Sequence, residues 1–254
     1  MARLSKEDRL GKLRELIGSQ RAISTSELQR TLDVSRMTLF RDLAVLQEEG
    51  FVDRLYGSVT LSREQYNLAE ASVTNIEGKR RIAQYAATLV QEDDSVFFGA
   101  GITVLEVAKI IAKSKLVLTV FTYSFPLAQE IYHISNIRLI MGGGYYHSET
   151  ESFLGSIALK GIEGLSSRIT FFGANGFDLK GGITSYFVEQ AELIKKMISY
   201  SQMVIAVIDS SKYRKVNVHR ICSLSEPDLI ITDSGIPKSA VEELKAANIT
   251  IVVV

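Results

Sequence analysis

The sequence predicts an α/β protein in two parts: a helical head carrying a β-hairpin wing, then an open, mostly parallel α/β sheet domain. Three observations carry that prediction. Before residue 75 apolar residues recur at helical spacing, and after it short β-branched runs alternate with amphipathic stretches. Most of the runs are apolar on both faces, as strands are in a parallel sheet covered on both sides. The stretch SREQYNLAEASVTN between the two regimes is polar and aperiodic, so residues 1–61 are read as one domain, 62–75 as a linker and 76–254 as the second domain.

In the head, Leu10, Leu13, Leu16 and Ile17 form one face of a first helix, about Lys6–Gly18, with Gly18 as its stop. The Ser24-Thr25-Ser26 cluster starts a second helix, and Thr31–Val34 makes a short turn. Ser35 caps a third helix that runs to Glu49 and ends at Gly50. On it Leu39, Leu43 and Leu46 fall at i, i+4 and i+7 and face the core. Met37, Arg41 and Ala44 point the other way, flanked by Thr38 and Phe40. An arginine that can donate to guanine, beside apolar groups that can meet thymine methyls, suits insertion into a DNA major groove. Phe51–Leu61 then alternates around Gly57-Ser58, a wing that places Arg54 and Tyr56 to touch the DNA backbone or minor groove. The candidate DNA contacts are therefore Ser35, Arg36, Met37, Thr38, Phe40, Arg41, Arg54 and Tyr56.

Charge does not announce this partner. The 254 residues carry 29 basic and 29 acidic side chains, and residues 1–61 hold ten against nine. Phosphate affinity per subunit should be modest, so an oligomer that multiplies the contacts is expected, a dimer or a tetramer.

In the second domain the strand-like runs are Ser95–Phe98, Leu116–Phe121, Ile137–Met141, Ile169–Phe172, Met203–Ile208, Leu229–Thr232 and Thr250–Val254. Ligands of open α/β sheets collect beyond the carboxyl ends of the strands, and five of these runs end in small, hydrogen-bonding loops. They are Gly99–Thr103, which leads into a helix, Thr122-Tyr123-Ser124, Gly142-Gly143-Gly144, Gly173–Asp178 and Asp209–Lys212. Glycine turns at a helix start offer N–H groups to an anion, hydroxyls add donors, and a lysine supplies charge. Such a set suits a phosphorylated small molecule. Asp209 and Lys212 lead the candidate contacts, followed by Lys79, Thr103, Ser124 and Gly143, with Gly101, Thr122, Asn175, Lys180 and Glu189 completing them.

The word VSRMTLFRDLAVLQEEGFVDRLYGSV resembles the DNA-binding segment of the DeoR family of bacterial repressors. Two departures stand out: Phe40-Arg41 where the family commonly has two arginines, and Tyr56-Gly57-Ser58 where it has His-Gly-Gly. GGGYY (142–146), SFLGSIA (152–158), GANGFDLKGGIT (173–184) and DSSKY (209–213) resemble the family's effector domain, which is similar in fold to ribose-5-phosphate isomerase and glucosamine-6-phosphate deaminase. The resemblance implies a winged helix-turn-helix repressor of carbohydrate-metabolism genes, controlled by a phosphorylated sugar. The family's Asp-x-Gly-Thr-Thr and Thr-Asn-Ser loops are altered here, with Gly99, Ile102 and Tyr123 in the changed positions, so the ligand is expected to differ from the family norm.

An enzyme of the related fold would need paired carboxylates, and isomerases carry Asp-Gly-Ala-Asp where this chain has Phe172-Gly173-Ala174-Asn175. Lys180 and Glu189 alone match the isomerase spacing, so no catalytic residue is assigned. The alternatives are a sugar-phosphate isomerase or deaminase with a DNA-binding attachment, and a regulator whose second domain only oligomerises. Cys222, the single cysteine, reads as a small buried residue, and His133, His147 and His219 show no ligand spacing, so no metal or cofactor is assigned. The charged start MARLSKEDRL and the lack of a long apolar stretch predict a cytoplasmic chain without a membrane partner.

Overall fold

The computed structural model describes residues 5–20, 22–55, 57–62 and 75–254, and the chain divides into two compact units, Met1–Thr74 and Asn75–Val254. Tyr56 and residues 63–74, most of the expected linker, lie outside the described residues.

The first unit runs α1 (Lys6–Gln20), β1 (Ala22–Ser24), α2 (Thr25–Leu32), α3 (Arg36–Glu48), β2 (Val52–Leu55) and β3 (Ser58–Leu61). The caps are those the hydroxyls suggest: Ser24 Oγ accepts from Glu27 N and Ser35 Oγ from Thr38 N, each satisfying a donor the helix start leaves open. Leu13, Ile17, Leu28, Leu39, Leu43 and Leu46 meet in a fully buried core. Two expectations are corrected. Gly18 does not stop α1, which continues to Gln20; burying Leu13 and Ile17 outweighs the roughly 1 kcal/mol that a glycine costs a helix. A three-residue strand, β1, also pairs with β3, so the wing is a three-stranded sheet. Three residues are too short to show a period in sequence.

The second unit contains α4 (Ile76–Ala87), β4 (Ser95–Phe98), α5 (Ile102–Ala112), β5 (Leu118–Thr122), α6 (Phe125–Ile131), β6 (Ile137–Met141), β7 (Tyr145–His147), β8 (Ser152–Leu154), α7 (Ser156–Gly161) and β9 (Ser167–Phe172). It continues with β10 (Gly176–Asp178), β11 (Gly182–Ser185), α8 (Val188–Ser199), β12 (Ser201–Val207), β13 (His219–Cys222), β14 (Leu229–Thr232), α9 (Lys238–Ala246) and β15 (Ile251–Val253). Seven strands form one parallel sheet in the order β15-β14-β12-β9-β4-β5-β6. Helices α4, α5 and α6 cover one face through Ile82, Val104, Val107 and Leu127. On the other face α7, α8 and α9 pack Ala158, Leu193, Met197 and Leu244. A sheet buried on both sides explains the doubly apolar runs.

The strand order reverses direction between β4 and β9. From β4 the chain builds toward β6 on one side, and from β9 toward β15 on the other. Ligands of open α/β sheets collect at such a reversal, at the carboxyl edge. The loops leaving the two adjacent strands here are Gly99–Gly101 and Gly173–Asn175, and they run close together: a Cβ on Gly173 would stand 3.7 Å from Ala100 O. Among the described residues no helix is long and apolar enough to cross a membrane.

Candidate functional site

The head presents α3 as a surface element because its inner face is committed. Leu39, Leu43 and Leu46 are buried, and so is Asp42, which accepts from Arg9 Nε at 2.8 Å. Arg14 pairs with Glu49. Arg36, Met37 and Arg41 on α3 and Arg54 on β2 remain exposed, Met37 by 73%. Ser35 and Thr38 are less available than their exposure suggests: Ser35 Oγ takes the Thr38 N–H at 3.2 Å, and the two hydroxyls lie 2.9 Å apart. Phe40 is half-buried, with the Arg54 guanidinium 4.7 Å and that of Arg36 5.3 Å from its ring centre.

At the carboxyl edge of the large sheet the structure gathers most of the predicted effector residues, and separates them by role. Gly101 ends the loop after β4 with φ +120° and begins α5; a Cβ there would meet open space. That turn sets the first turn of α5, with buried Thr103 in it, beside the switch point. From the β12 end, Asp209 caps the short 3-10 turn Ser210–Lys212, accepting from Ser211 N at 3.1 Å. Its Oδ2 lies 3.9 Å from Lys79 Nζ in the first turn of α4, and both groups are almost wholly buried. Lys212 is 9% exposed. Charges are seldom withdrawn from water this far, and here the lysine and the carboxylate offset each other, with Lys212 in the same turn as Asp209.

Other predicted residues serve the scaffold. Thr122 Oγ1 accepts from Ser124 N at 3.1 Å, and Asn175 Oδ1 from Tyr186 N at 3.3 Å. Ser124 is buried at the start of α6 but makes no side-chain cap. Of the five loops, those holding Gly143 and Asn175 lead into the antiparallel pairs β7–β8 and β10–β11, not into helices. The glycines at 142–144 accordingly answer to packing. A Cβ on Gly144, at φ +128°, would stand 2.2 Å from Leu154 O. Lys180 is exposed on the turn between β10 and β11, and Glu189, in the first turn of α8, accepts from Tyr145 Oη at 3.3 Å. The structure thus ties the predicted isomerase-like carboxylate to a surface tyrosine.

Two residues at this edge escaped sequence reasoning as site components. Asp233, at the end of β14, is 1% exposed and accepts from Ser210 N (2.7 Å), Ser210 Oγ (2.9 Å), Gly235 N (3.0 Å) and Asn75 Nδ2 (2.6 Å). Burial alone would raise its pKa, but these donors outweigh it and hold the carboxyl below its ordinary value. Only its place after a strand, in Thr232-Asp233, could have hinted at this. Tyr123 is fully buried, and its hydroxyl faces the Ala100 backbone and Gln190 without completing a hydrogen bond. Burial keeps that phenol protonated far above the ordinary range.

Cys222 is buried on β13, and burial, with Glu226 nearby, pushes its thiol up to about 12. Native protein at pH 8 is expected to ignore a thiol reagent such as dithionitrobenzoate until denaturant is added; immediate stoichiometric labelling would contradict this placement. Among the described residues no group of three or more His, Cys, Asp or Glu side chains could hold a metal ion.

Residues 9–65 match the DeoR-like helix-turn-helix domain, and residues 74–234 match the DeoR C terminal sensor domain. The HTH-type transcriptional regulator GlpR of Haloferax volcanii is 31% identical over 249 residues, covering 96% of each chain. The lactose phosphotransferase system repressor of Staphylococcus epidermidis is 29% identical over 239 residues, 91% of this chain and 94% of that one. A solved ribose 5-phosphate isomerase A from Methanocaldococcus jannaschii aligns over 55% of each chain at TM-score 0.38 and 18% identity, a likeness too slight to carry over any residue or activity.

Proposed function

The chain belongs to the DeoR family of DNA-binding transcriptional regulators, and from that premise we propose that it represses carbohydrate-metabolism genes under the control of a phosphorylated sugar bound at the carboxyl edge of the large sheet. The observation that carries the ligand class is the buried Lys79–Asp209 pair, with Lys212, beside the open Gly101 turn. The phosphate would take the N–H groups at the start of α5 and the charge of the lysines, while Asp209 would accept from sugar hydroxyls. The lactose system named for the staphylococcal relative supports a sugar as the rest of the molecule. A binding role without turnover is supported by the loop Gly173-Ala174-Asn175, which brings no carboxylate to the switch point, and by Glu189, which already accepts from Tyr145.

Control would act through α4. Asn75, the first residue of the second unit, donates to Asp233 and caps the helix that carries Lys79, so the point where the chain arrives from the head is tied to the same loops that would hold the ligand. A ligand that prefers one arrangement of these loops by about 1.4 kcal/mol changes the population of DNA-competent heads tenfold. Paired heads in a dimer or tetramer would multiply the small phosphate attraction of each.

Thermal denaturation with a panel of sugar phosphates, inorganic phosphate and the parent sugars tests this. At a hundredfold excess over the dissociation constant one sugar phosphate should raise the Tm by roughly 5 °C. Lys212→Ala should abolish the rise. An identical rise in the variant would overturn the site, and no rise with any phosphate would overturn the ligand class.

A further inference from the structure

We propose that Phe40 is a positioning residue for DNA binding: its ring is a platform that holds the wing arginine Arg54 and the helix arginine Arg36 together at the start of α3, aimed at backbone phosphates. The three residues come from two elements. Arg36 and Phe40 lie one helical turn apart on α3 and so share a face, and Arg54 reaches the ring from β2. With guanidinium carbons 5.3 and 4.7 Å from the ring centre, both lie within the range of a cation–π contact.

The arrangement gathers two like charges at one half-buried ring, where they repel each other through water while the ring attracts both. A negative group between or beside them reverses the sign, and DNA supplies such groups at regular spacing along its backbone. Arg14 also stands over a ring, that of Phe51 at 5.8 Å, but its partner is the carboxylate of Glu49, which leaves it little reason to seek a phosphate. Phe40 is also half-buried, so its ring is anchored while the arginines are not, and it limits the rotamers an exposed Arg54 would otherwise sample. Less ordering is then left to be done on binding. An apolar residue at position 40 thus supports phosphate contact through its neighbours, a role distinct from the expected one of its ring against a thymine methyl.

The test uses the full chain, the tightest 30-base-pair duplex selected from a randomised pool, and fluorescence anisotropy from about 50 to 200 mM salt. Phe40→Leu should weaken binding about fivefold and lower the slope of log affinity against log salt by about 1, the signature of one lost phosphate contact. In a background lacking both arginines, Arg36→Ala with Arg54→Ala, Phe40→Leu should leave the slope unchanged, and in the otherwise wild-type chain Phe40→Trp should retain wild-type behaviour. An unchanged slope in Phe40→Leu, or an equal loss with and without the two arginines, would overturn the proposal. A readout independent of any variant's folding is available in the wild type without DNA: ring currents should move the Arg54 side-chain proton resonances upfield. Their appearance at ordinary shifts would overturn it as well.

Discussion

Asp233→Ala is expected to destabilise the second unit by about 3 kcal/mol, measured as a lowered urea midpoint at pH 7. The carboxylate is the common acceptor for two backbone N–H groups, a hydroxyl and the Asn75 amide, in a position that water scarcely reaches. Removing it strands several donors together, and each buried donor left unpaired costs about 1–3 kcal/mol, though not additively. Asp233→Asn keeps one acceptor oxygen and should cost less. The pH dependence has a definite sign. The folded carboxyl has a pKa below its unfolded value, so the stability it adds is complete above about pH 4 and is lost as pH falls through the folded pKa. Wild-type protein should accordingly lose stability below about pH 4 more steeply than Asp233→Asn. Parallel acid profiles, or an Asp233→Ala midpoint equal to wild type, would remove Asp233 from the centre of this network.

Arg41→Ala should lower affinity for the selected duplex about 10–100-fold, equivalent to about 1–3 kcal/mol, while affecting a mixed-sequence duplex much less. Arg41 is exposed on α3, opposite the buried Leu39, Leu43 and Leu46, where a guanidinium can reach a base edge. Arg14→Ala removes the same charge from the same unit, yet it should change affinity about twofold or less because that guanidinium is already paired with Glu49. Equal losses in the two variants at fixed salt would mean that net charge, not placement, governs binding. Loss on both duplexes alike would turn Arg41 into a phosphate contact.

These two sites were legible to different degrees. The third head helix and its exposed face could be read from the spacing of Leu39, Leu43 and Leu46 and from the hydroxyl of Ser35, because capping and helical periodicity are local. The parallel strands were readable from their doubly apolar composition. The short antiparallel pairs β7–β8 and β10–β11 were not, since three or four residues carry no period and their glycines looked like phosphate loops. Gly101 and Gly144 illustrate the difference: one opens onto space at a helix start, and the other makes room for Leu154 O. Sequence treats both as a glycine after a strand.

By itself the sequence determined the head helices, the doubly apolar parallel strands and the chemical inventory at the strand ends, since each depends on neighbours a few residues apart. Which members of that inventory meet was decided only by the tertiary structure. Lys79 and Asp209 are paired across 130 positions, and Asn75 and Asp233 across 158, because parallel crossovers bring distant strand ends to one edge. Phe40 was placed as a DNA contact by its position on a helix, and the approach of β2 made it a seat for Arg54. Pairings of that kind depend on where the backbone returns, which burial of the whole core settles and no local pattern records.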